Sequence, residues 1–93
     1  MINVLVADDE LPAVEELAFL LRRDPRIGTI LRATSGAEAL ELLAANTVDA
    51  AFLDIHMPGL SGLELAEIIG RSANAPAVIF VTADNSLRRS SLL

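Results

Sequence analysis

Cysteine, lysine, tryptophan and tyrosine are all missing from this 93-residue chain. Without cysteine there is no disulfide and no thiolate metal site. No apolar run approaches the ~20 residues of a membrane span, and no basic start with a long apolar segment marks a signal peptide. These absences make the cytoplasm the expected location and leave the membrane without a role. A basic face is missing as well. The formal net charge is −6, and all seven cationic side chains are Arg. That balance argues against direct nucleic-acid binding by this segment.

What is present reads as one compact domain. The hydrophobic fraction is 53%, rich in Leu, Ala, Val and Ile, with three Phe. A chain this long buries roughly 60–65% of its unfolded surface, enough for one modest core. Ile2–Ala7 is a short apolar run with β-branched residues and reads as a strand. Pro12 sits where a helix's first turn tolerates it. Val14, Leu17, Ala18 and Leu21 then recur at helical spacing, with Glu15, Glu16, Arg22 and Arg23 opposite. Asp24-Pro25 stops that helix.

A weaker strand follows over 28–33. Ser35 with Glu38, and Ser61 with Glu64, have the spacing of capping boxes. They open helices whose apolar stripes read as Leu40, Leu43, Ala44 and as Leu65, Ile68, Ile69. Between them lies a third strand over 48–53, then a loop broken by Pro58-Gly59. Pro76 introduces the fourth strand, 78–82. Strand–helix units of this size give an α/β fold: a parallel sheet with helices on both faces and right-handed crossovers.

In such sheets the active crevice lies beyond the carboxyl ends of the strands. Three apolar runs end there in polar residues: Asp8-Asp9-Glu10, Asp54, and Thr82-Ala83. Crowded carboxylates repel in a partly dry site, so the cluster calls for a cation. Mg²⁺ suits it, since that ion takes one or two carboxylates, keeps waters and accepts phosphate oxygens. Asp54 then reads as a nucleophile that attacks phosphorus, and Thr82 as a hydroxyl donor to a phosphoryl oxygen. Blander readings stand beside these. Asp8-Asp9-Glu10 would simply charge a helix start, Asp54 would open an Asx turn, and Thr82 would be an ordinary strand residue. His56, the single histidine, offers a backbone carbonyl to the metal more readily than a side-chain base.

VLVADDE, FLDIHMPGLSGLEL and VIFVTA, in this order and spacing, resemble the receiver domain of bacterial two-component response regulators. The second motif is most similar to the subfamily with a LytTR-type DNA-binding output. The resemblance covers 1–84 and implies a flavodoxin-like doubly wound sheet, incomplete, with four strands in order 2-1-3-4. It implies Asp54 as phosphoacceptor, Asp9 as direct Mg²⁺ ligand, Asp8 acting largely through water, and the His56 carbonyl as a further ligand. It also implies Thr82 as a switch hydroxyl and a histidine kinase as phosphoryl donor. The chain is thus expected to be a signalling module and not an enzyme.

Receivers of this kind continue through a further helix, strand and helix, with a Lys-Pro pair after that strand. Here 85–93 is unlike the family and Lys is absent, so a domain cut short before its fifth strand is expected. Phosphoryl stabilisation and signal relay should weaken accordingly. A phosphorylation-incompetent interaction module is the alternative. A small Mg²⁺-dependent phosphatase is a weaker one, because its usual second Asp would stand where His56 stands. An unpaired fourth strand invites pairing, and the first helix is apolar on more than one face. A homo-oligomer through both surfaces is therefore expected, with Leu87, Leu92 and Leu93 contributing.

Overall fold

The computed structural model describes residues 1–81. Four strands and three helices alternate: β1 (Ile2–Ala7), α1 (Leu11–Arg22), β2 (Ile27–Ala33), α2 (Gly36–Ala45), β3 (Ala50–Asp54), α3 (Gly62–Gly70) and β4 (Ala77–Val81). The strands are parallel, in the order β2-β1-β3-β4. This is the expected α/β architecture, and every crossover runs through a helix because parallel neighbours cannot be joined by a hairpin.

β1 lies inside the sheet and is covered on both faces, so Val4, Leu5, Val6 and Ala7 are all buried. Alternation along the strand separates them into two sets. Leu5 and Ala7 join Ala33, Ala51 and Leu53 in one core with Ala39, Leu65 and Ile69 of α2 and α3. Val4 and Val6 face the other way, toward α1, whose Val14 and Ala18 are buried. Burying one such aliphatic side chain is worth about 1.5–3 kcal/mol. The strand that carries Asp8 at its end is therefore the most firmly held.

β2 and β4 each begin one residue earlier than the sequence reading, and β3, α2 and α3 depart from it further. The third strand starts at Ala50 rather than two residues earlier. Asp49 is occupied otherwise: its Oδ2 accepts the Asn3 N–H at 2.8 Å, and its own N–H donates to the Asn3 carbonyl at 2.8 Å. Though exposed, it pins the entry of β1. In α2 the deepest residue is Ala39, while Ala44 is exposed. In α3, Leu65 and Ile69 face the core and Ile68 remains 40% exposed.

Both capping serines act as expected, with a difference. Ser61 accepts from the Glu64 N–H while Glu64 accepts from the Ser61 N–H, which is a complete box. Ser35 caps Glu38 at 3.1 Å, but Glu38 reaches one residue further back, to the Thr34 N–H. Among the described residues no helix is long and apolar enough to cross a membrane.

Candidate functional site

The carboxyl ends of β1 and β3 are neighbours, since Ala7 pairs with Leu53. The next residue on each strand is an aspartate. Asp8, Asp9 and Asp54 accordingly each bring a carboxylate oxygen within 4.8 Å of the others. Asp8 and Asp54 are half-buried and Asp9 is exposed. A pair of unit charges at that separation repels by on the order of 3 kcal/mol at an effective dielectric of ~20, less where water screens it. Burial pushes the Asp8 carboxyl above its ordinary range, and the charges of Asp54 and Asp9 push it the same way. The Glu10 N–H, donated to Asp8 Oδ1 at 2.9 Å, opposes them.

The described ion pairs all lie elsewhere: Asp24–Arg26, Glu15–Arg32 and Glu67–Arg71. The site thus offers oxygen donors alone, at a sheet edge open to water, with one carboxyl whose charged form burial disfavours. That donor set fits Mg²⁺, which prefers oxygen ligands and retains waters. The raised Asp8 pKa has a testable consequence. Its protonated form favours the fold, so the penalty is absent below the ordinary Asp pKa and sets in as pH rises through the raised one. Asp8→Asn keeps the acceptor for the Glu10 N–H and removes the charge. Without metal, its melting temperature should exceed that of the native chain by a margin that grows from strongly acid pH to neutrality. Thermal melts across that range check it.

The loop after β3 is shaped around Asp54. The His56 N–H donates to Asp54 Oδ1 at 3.3 Å, so the Asx turn is present as well as the acidic cluster. The His56 side chain is exposed. Met57 is buried in the core and anchors the loop. Gly59 has a φ of +77°, a conformation open to Gly.

The Ile55 carbonyl then accepts the Gly62 N–H at 3.0 Å, closing the loop onto the start of α3. A Cβ on Gly62 would overlap the carbonyl oxygen of Asp54 and come 2.8 Å from its carbonyl carbon. A Cβ on Gly36 would meet the Leu60 Cβ at 2.7 Å. Two helix starts therefore press against this loop, a constraint missing from the sequence reading. The signal was there in the Ser-Gly pairs at both caps, but spacing alone does not say what approaches a glycine. Thr82, expected at the same edge, lies outside the described residues, as do Ala83 and the C-terminal Leu residues.

A response regulator receiver domain family model matches residues 4–91. The sensory transduction protein LytT of Bacillus anthracis is 42% identical over 83 residues, covering 89% of this chain and 34% of that protein. The transcriptional regulatory protein YpdB of Escherichia coli K12 is 36% identical over 81 residues, covering 87% and 33%. The chain therefore spans about a third of the length of these relatives. Among solved structures, the response regulator TrrA of Thermotoga maritima, in complex with Mg²⁺-BeF, superposes with a TM-score of 0.81 at 36% identity, over 96% of this chain and 76% of that one. The response regulatory domain of MrkE from Klebsiella pneumoniae gives 0.80 at 31%, over 98% and 76%.

Proposed function

The chain belongs to the response regulator receiver family, and from that premise we propose that Asp54 accepts a phosphoryl group from a histidine kinase in an Mg²⁺-dependent transfer. The observation that carries the proposal is the meeting of three carboxylates at the ends of β1 and β3. Asp8, Asp9 and Asp54, with the His56 carbonyl, would hold the ion, Asp8 less directly than Asp9 and Asp54. When bound, Mg²⁺ neutralises charge on the phosphoryl oxygens.

Everything else is done by the chain's own atoms. One Asp54 oxygen attacks phosphorus as the bond from phosphorus to the donor imidazole nitrogen breaks. The bonding pair leaves with the imidazole nitrogen, which takes one proton from solvent and is left as neutral imidazole. The product is an acyl phosphate on Asp54. The His56 N–H on Asp54 Oδ1 orients the carboxylate, leaving the second oxygen to react. Thr82, carried by the chain just past β4, donates its hydroxyl to a phosphoryl oxygen. The complex of a neighbour with Mg²⁺-BeF supports the same reading for this chain. Within a longer regulator this segment would serve as the input, leaving DNA contact to other parts.

Incubation with acetyl phosphate and Mg²⁺ tests the proposal by mass spectrometry. Labelling of the native chain that disappears in Asp54→Asn supports it. No labelling of either protein points to a module that only binds partners. Sustained turnover of phosphate esters would point to a phosphatase.

Association with a second copy belongs to the same proposal. β4 is an edge strand among the described residues, with Ile79 39% and Phe80 42% exposed, and Phe19 on α1 is 66% exposed. Edges and apolar surfaces of this kind pair. Sedimentation is expected to show a dimer at high micromolar concentration, and a stable, well-folded monomer there would refute it. Phe80→Lys should shift the equilibrium toward monomer.

A further inference from the structure

At the edge of the sheet opposite Asp54, a cavity of about 480 Å³ lies between α2 and α3. Val48 and Pro76, just ahead of β3 and β4, belong to its lining. Asp54 stands six residues beyond Val48, roughly 20 Å along an extended strand. The cavity is therefore separate from the acidic cluster. Leu40, Leu43, Ile68 and Ile69 give it apolar walls, and no charged side chain lines it, although the chain carries a net charge of −6. Small-molecule sites are mostly apolar, with a few polar groups, and measure about 300–1,000 Å³. An apolar cavity of about 150 Å³ takes one benzene, so this one has room for a body of one or two rings.

The two helices that form it end differently. α3 is closed: the Arg71 and Ser72 N–H groups donate to the Ile68 and Ile69 carbonyls, and Arg71 pairs with Glu67 at 3.3 Å. α2 is open. Asn46 is extended, and its side-chain amide donates to the Leu42 carbonyl at 2.9 Å. Among the described residues, no backbone N–H donates to the carbonyls of Leu43, Ala44 or Ala45. The last turn of α2 has no basic residue, where that of α1 has Arg22. Helix carbonyls point along the axis, here toward Asn46, Thr47 and Val48, which line the cavity. A helix C-terminus left in this state carries partial negative charge and favours a cation that can donate hydrogen bonds.

We propose that this cavity binds a small amphipathic amine, with its apolar body between Leu43 and Ile68 and its ammonium at the open end of α2. The apolar body would cover Ile68, which is otherwise 40% exposed, and remove that surface from water. The ammonium supplies the charge that the last turn of α2 lacks. A carboxylate on the same body would face carbonyl oxygens and be disfavoured. The concavity has the size of a ligand, whereas a stable protein interface spreads over roughly 800 Å² per partner. Nothing in this site depends on Asp54 taking a phosphoryl group.

Three probes of one shape test the proposal: phenethylamine, phenethyl alcohol and hydrocinnamate. Each is titrated into the full chain, free of metal, while backbone amide resonances are followed. Phenethylamine should shift Leu43, Thr47, Ile69 and Ser72 along one saturation curve. It should bind about 2–5-fold more tightly than the alcohol, the size of a charge effect at a helix end, and hydrocinnamate should bind most weakly. Ala44 is exposed and lines the cavity. Ala44→Leu fills the space and should weaken the amine and the alcohol alike, severalfold. Ala44→Arg supplies the missing cation and should erase the preference for the amine. Asp54→Asn should leave the curve unchanged. The proposal is overturned if the amine gives no saturable shift at tens of millimolar, or if its shifts centre on Asp8 and Asp54 and vanish in Asp54→Asn. It is overturned equally if hydrocinnamate binds as tightly as the amine, or if the preference for the amine survives Ala44→Arg.

Discussion

Gly62→Ala is expected to cost the fold about 3 kcal/mol or more, while Gly70→Ala on the same helix is expected to be neutral or to add up to about 1 kcal/mol. The two differ only in surroundings. A Cβ at Gly70 meets nothing within 4 Å, and alanine has the better helix propensity. At Gly62 the Cβ would fall on the Asp54 carbonyl group, and the Ile55 Cα would stand 3.0 Å away. These are backbone atoms and have no rotamer to change. The strand end is fixed by pairing to β1 and β4, and α3 is fixed by Leu65 and Ile69. One of them must move.

Because single domains are stable by only about 5–15 kcal/mol in all, a loss of this size is a large share. Urea titration of both variants measures it. The displaced backbone carries Asp54, so any Gly62→Ala protein that remains folded should also bind Mg²⁺ more weakly. A Gly62→Ala variant with native stability would show that α3 does not press on the strand end as described.

Asp54→Asn is expected to remove acyl phosphate formation entirely, since no other described carboxylate sits at the strand end in the same position. Asparagine keeps an oxygen for the His56 N–H, so the loop should hold its shape. It lacks the anionic oxygen that attacks phosphorus. Asp8→Asn is expected to act more mildly. An outer-sphere partner of a metal typically contributes about 10–100-fold in affinity, so labelling should persist at raised Mg²⁺ concentration. A labelled Asp54→Asn protein would place the phosphoryl group elsewhere and end the assignment.

Much of this was legible in the residues. Ile2–Ala7 announced itself by length and β-branching, and the acidic residues after it fell at the sheet edge because parallel strands share a direction. The Ser61–Glu64 box could be read from spacing, because both of its hydrogen bonds are local. What could not be read was contact between segments distant in sequence. The tie from Asp49 to β1 leaves no local sign, because its partner, Asn3, is 46 residues away. Gly62 looked like a helix start because nothing local announces the Asp54 carbonyl behind it. Ala39 and Ala44 are chemically identical, and only the packing of α2 decides that the first is buried. Ile68 has the periodicity of a core residue but lies on the rim of a cavity between α2 and α3. Periodicity locates a face; the size of the partner decides how much of that face is covered.

The most direct test is a magnesium titration monitored by backbone amide resonances. In the native chain, the signals of Asp8, Asp9, Asp54 and His56 should shift together along one saturation curve, and in Asp54→Asn that curve should move to much higher concentration. An intact fold in which magnesium leaves those four amides where they are would show that these carboxylates, though neighbours, do not share an ion.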